Sequence, residues 1–196
     1  MKKGRFYGFY TDPEEIRRIA SRMGIPNSTP LPKVMIVTKG RIEKGTKYNA
    51  PEFFMSVDTG EPEIAIPAEV VQEITKKEYT LGPEAREDIR HELAHYMEHR
   101  ETGTSPGRLS DPYELALQEI RIDQKAGIKV TAKELYYLMA GLLENYNLDC
   151  NEAVSIVKDA SRDLEISRFV VSRAEHLFRE AVERVEKGEA KWKWKK

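Results

Sequence analysis

Residues 89–100 read IRHELAHYMEHR and hold three of the chain's four histidines. No glycine or proline interrupts the stretch, and Pro83 upstream suits a first helical turn, so the pattern predicts a helix from Pro83 to Arg100. Ile89 and Leu93, with Tyr96 or Met97, recur at the helical period and form an apolar stripe that anchors this helix to a core. His91 and His95 lie four apart on a neighbouring face, where both imidazoles can reach one ion. Glu92 can stand beside that ion without binding it, the position a general base needs. A metal lowers the pKa of a bound water to roughly 7, and a carboxylate so placed takes its proton as the water attacks a carbonyl. Peptide hydrolysis is the reaction this chemistry suits.

Upstream of the helix the pattern changes to strands. Asp12-Pro13-Glu14-Glu15 has the form of a capped helix start, with Glu15 reaching back as in a capping box; Ile16, Ile19, Ala20 and Met23 give that helix one apolar face, and Gly24 ends it. Asn27 to Pro32 reads as a loop. Lys33 to Thr38, Glu52 to Val57 and Glu63 to Ile66 read as three strands of a small antiparallel or mixed sheet, with Asp58-Thr59-Gly60 as the turn between the last two. Pro62 and Pro67 bracket the third strand, which suggests an edge position because proline cannot donate to a ladder. A short helix is expected near Ala68 to Thr75.

Downstream the pattern is helical throughout. Asp111-Pro112-Tyr113-Glu114 starts a helix that ends at Gly127, Thr131-Ala132-Lys133-Glu134 and Asp149-Cys150-Asn151-Glu152 start two more, and a long amphipathic helix is expected from about Asp163 to Lys187. Leu135, Leu138, Met139, Leu142 and Leu143 make one broad apolar stripe, and Ile166, Phe169, Val170, Ala174, Leu177 and Phe178 another. The fold class is therefore α+β: a sheet of three or slightly more strands packed on the histidine helix and the helix after it, with additional C-terminal helices. The boundaries are 1–130 for the sheet and those two helices, 131–188 for a helical extension, and 189–196 for a basic tail.

Composition narrows the function. The 196 residues carry 32 Lys+Arg against 33 Asp+Glu, a formal net charge of -1, so no nucleic-acid partner is expected. Cys150 is the single cysteine and makes no internal disulfide; it opens a helix and reads as an ordinary, partly buried thiol. MKKGRFYGFYTDPEE lacks the apolar core of a signal peptide and nowhere do eighteen apolar residues run together, so a soluble, cytoplasmic protein without a membrane span is expected. The closing KWKWKK reads as a frayed, solvated end, and the Gly- and Ser-containing loop Glu101 to Ser110 as either a cleft lining or a plain connection.

A zinc site that does chemistry takes three protein ligands and keeps one position open. His99 continues the line of His91 and His95, but at 1.5 Å per residue it sits roughly 12 Å along the helix from His91, too far to share an ion about 2 Å from each. His176 is remote in sequence, in an amphipathic helix, and reads as a partly buried structural histidine. The next helix offers Glu114, Glu119 and Asp123. Glu114 is accounted for as a capping carboxylate. Glu119 has no such role, and Asp123, one turn on, could accept the free ring N–H of a ligating histidine and fix its tautomer.

His91-Glu92-x-x-His95 followed by Glu119-x-x-x-Asp123 resembles the signature of the gluzincin metallopeptidases, and Ala126 extends the likeness. The resemblance covers about Glu52 to Gly127 and is similar in size to the minigluzincins. It implies a zincin-like, thermolysin-like plan in residues 1–130, with an outer strand pairing with an extended peptide. It implies that His91, His95 and Glu119 bind Zn2+, that Glu92 is base and acid, and that Asp123 orients a ligand. The function so implied is zinc-dependent hydrolysis of peptides or unfolded protein segments; the alternative is a metal-binding, non-hydrolytic protein-binding module. Such enzymes use a Tyr or His to steady the oxyanion, and Tyr96, Tyr113, Tyr136, Tyr137 and His176 are the candidates.

Overall fold

The computed structural model describes residues 6–40, 51–56, 59–67, 73–74, 79–103 and 109–189. They form an α+β protein with six helices, a four-stranded mixed sheet and a separate two-stranded pair, grouped in two compact units. The expected connection after β2, most of the helix near 68–75, the centre of the 101–110 loop and the basic tail lie outside the described residues.

The first unit holds the sheet. In chain order it contains β1 (Phe6–Tyr10), α1 (Pro13–Arg22), β2 (Lys33–Gly40), β3 (Glu52–Met55), β4 (Pro62–Pro67), β5 (Glu73–Ile74), β6 (Tyr79–Thr80) and α2 (Pro83–Thr102). The sheet order is β1-β2-β4-β3: β1 runs antiparallel to β2, β2 parallel to β4, and β3 antiparallel to β4. Alternation along the strands puts Val34, Ile36, Phe53, Ile64 and Ile66 on one face, where they share a core with Ile16, Ile19 and Ala20 of α1 and Ala85, Ile89, Leu93 and Tyr96 of α2. The histidine helix is thus laid against the sheet by the apolar stripe read from its sequence.

Several local features differ from expectation. β1 lacked any flag in the sequence, because a glycine interrupts its aromatic run. Gly8 is required there: the β1–β2 register shifts between Tyr7 and Gly8, and a Cβ at position 8 would stand 2.3 Å from the Ile36 carbonyl oxygen. β4 is central, flanked by β2 and β3, and among the described residues β1 and β3 are the edge strands. Its two prolines are tolerated because they occupy the first and last positions of the strand, opposite Met55 and Val37, where the ladder ends. Glu73 and Ile74, expected at the end of a helix, pair instead with Thr80 and Tyr79. Asp12 caps α1 through the Glu14 N–H at 3.0 Å, and the Glu15 carboxylate meets Arg86 of α2 at 3.4 Å.

The second unit is helical: α3 (Pro112–Lys125), α4 (Ala132–Asn145), α5 (Cys150–Asp163) and α6 (Arg168–Glu186). α3, grouped by sequence with the sheet, packs here on α5 and α4, and its Ala116 and Ile120 join Leu135, Met139, Leu142, Val154, Val157, Ala174 and Phe178 in one core. Thr131 and Asp149 close complete capping boxes with Glu134 and Glu152. The long helix expected from about Asp163 begins later, at Arg168: α5 ends at Asp163, Glu165 turns left-handed at φ 57°, and the Ile166 N–H donates to the Ser161 carbonyl at 2.8 Å. The buried face of α6 is formed by Val171, Ala174 and Phe178, while Phe169, expected in the apolar stripe, is 74% exposed. Among the described residues no helix is long and apolar enough to cross a membrane.

Candidate metal centre

α2 is continuous from Pro83 at its first turn to Thr102, where Gly103 adopts φ 74° and donates its N–H to the His99 carbonyl at 2.8 Å. That continuity sets the geometry of the histidines. His91 and His95 stand one turn apart with their Nε2 atoms 3.1 Å from each other and their rings edge-on, 4.7 Å between centroids. Two nitrogens about 2.05 Å from one ion at a tetrahedral angle would be roughly 3.3 Å apart, so the observed spacing fits a shared ion. His95 is buried and His91 half-buried. His99 lies farther along the unbroken helix and packs its ring on Phe53 at 5.7 Å, in keeping with its exclusion as a ligand.

Glu92 is buried, and its Oε2 accepts the backbone N–H of Phe53 in the edge strand β3 at 2.7 Å. This contact leaves no trace in the sequence, because it joins positions 39 apart and uses a main-chain group that no residue type can announce. Asp88, one turn before Glu92, has its carboxyl pushed up to about 6, first by burial and then by Glu84 and Glu92, with His91 opposing.

In the second unit, Asp111 caps α3 through the N–H groups of Tyr113 and Glu114, at 2.7 and 3.2 Å. Glu119 is half-buried and Asp123 buried, and their spacing places both on one face of α3. Two carboxylates this far out of water demand partners, which a solvated helix face would not.

The oxyanion candidates sort themselves by their contacts. The Tyr96 hydroxyl donates to the Pro30 carbonyl at 2.8 Å, and that of Tyr113 to Asp163. Tyr136 packs edge-on against Tyr137 and Phe178. His176, expected to be partly buried, is exposed on α6, whose buried residues are Val171, Ala174 and Phe178. No family model, curated protein or solved structure matches this chain.

Proposed function

We propose that the protein is a zinc-dependent peptidase of gluzincin type with a zincin-like fold, in which His91, His95 and Glu119 are the metal ligands. The observation that carries the proposal is the pair of facing imidazole nitrogens, 3.1 Å apart on one helix, with a buried glutamate between them in sequence. Two imidazole nitrogens with one carboxylate oxygen, the one proposed from Glu119, would form a donor set suited to zinc. Zinc held there supplies Lewis acidity, polarising a carbonyl and acidifying water.

The chain's own residues do the rest. Glu92 takes a proton from the attacking water and returns it to the leaving amine. Asp123 fixes a ligating imidazole's tautomer by accepting its second ring N–H. β3, an edge strand among the described residues, offers its backbone to an extended peptide or unfolded segment, which is the substrate class proposed. Glu92→Gln should lower kcat for an unstructured peptide by at least a hundredfold while the protein keeps about one zinc per chain. Undiminished hydrolysis in that variant would falsify the assigned base. A second reading, a metal-holding protein-binding module without turnover, is favoured by the hydroxyls of Tyr96 and Tyr113 being engaged elsewhere; zinc retention with no turnover on a panel of peptides would decide for it.

A further inference from the structure

Phe53 closes the sheet on the side of α2, opposite Ile64 of β4, and its side chain is buried in the core of the first unit. An edge strand has outward N–H groups that need acceptors, and one buried away from water must find its acceptor within the protein. For Phe53 the acceptor is a carboxylate delivered from the middle of α2, at the short distance of a charge-assisted bond, 2.7 Å. A glutamate side chain has three rotatable bonds, so a carboxylate that must act on one water profits from an external anchor. We infer that the main-chain amide of Phe53 is a positioning group for Glu92, holding Oε2 so that the carboxylate keeps the orientation proton transfer requires. The inference rests on the reading of Glu92 as general base. It adds a second task to β3: the strand proposed to pair with substrate also holds the base, so substrate docking and base orientation share one rigid element.

The test removes a single N–H. Phe53 is replaced in the full chain by its α-hydroxy acid analogue, which keeps the benzyl side chain and substitutes an ester oxygen for the amide nitrogen, and the zinc-loaded protein is assayed on an unstructured peptide. A positioning role predicts kcat lower by about tenfold to a hundredfold, with KM and zinc affinity within about twofold of the unmodified chain. An unchanged kcat overturns the inference alone, whereas absence of turnover in the unmodified chain overturns the peptidase reading and this inference with it. Should the ester fail to fold, amide exchange at Phe53 decides. Strong protection in the unmodified chain and in Glu92→Gln, lost in Glu92→Ala, is the expected result; equal exchange in all three overturns the anchor.

Discussion

At the scale of single residues, the protein contains positions where one atom decides stability. Gly8 faces the Ile36 carbonyl so closely that Gly8→Ala must push β1 off β2, and a loss of about 2–4 kcal/mol is expected, measurable as a lower urea midpoint. Ser161 is the reverse case: its hydroxyl is fully buried in α5 with no hydrogen-bond partner among the described residues. Ser161→Ala removes that unsatisfied group and should stabilise the protein by about 1 kcal/mol; a destabilised variant would show that the hydroxyl has an acceptor after all. At the centre of α2, the spacing of His91, Glu92 and His95 was legible from the sequence because a helix repeats every 3.6 residues and needs no tertiary information to place neighbours four apart. What the sequence could not express was the anchor on Glu92, a backbone amide supplied by a strand that folding brings alongside.

At the scale of elements, side-chain caps and ion pairs define where helices stop and how they dock. Thr131 and Asp149 each accept from backbone N–H groups at the first turn, and either residue changed to Ala should cost about 1 kcal/mol in thermal or urea unfolding. Glu175 of α6 joins Lys158 of α5 at 3.1 Å and Arg179 at 3.0 Å. Burial raises its carboxyl pKa, but hydrogen bonds and charge from Arg179 and Lys158 outweigh that and hold it below the usual value. A depressed folded pKa means the pair stabilises above the unfolded pKa, about 4.3, and loses that contribution as pH falls through the folded value. Glu175→Gln should therefore cost about 0.5 kcal/mol near pH 7, the small figure reflecting a half-exposed Lys158, with the difference vanishing in acid; a cost independent of pH would contradict the pairing. Strand identity was mostly readable, strand order was not. β4 carries two prolines and reads as an edge, yet it is central, because a strand's place is set by its partners while proline only forbids donors within the ladder.

At the scale of the whole molecule, the two units have separate cores: the sheet with α1 and α2 in one, and α3 to α6 in the other. The proposed ligand set is two histidines of α2 and Glu119 of α3. A metal bound by the folded protein stabilises it by mass action, about 4 kcal/mol at a thousand times its Kd. Zinc should accordingly raise the unfolding midpoint seen by calorimetry, a chelator should reverse the rise, and Glu119→Ala should suppress most of it. A midpoint indifferent to zinc in the unaltered chain would remove the ligand set.

Legible in the order of amino acids were the α+β class, the capped helices, the single continuous helix carrying His91, Glu92 and His95, and the placement of Glu119 and Asp123 on one face of the next helix. All of these follow from local periodicity and from capping chemistry confined to four or five neighbouring residues. Only tertiary contacts settled the sheet order, the edge position of β3, the grouping of α3 with the helical unit, and the amide that meets Glu92. Each of those depends on contacts between residues distant in the chain, whose energies are set by which surfaces find each other during folding and leave no periodic trace in the order of amino acids.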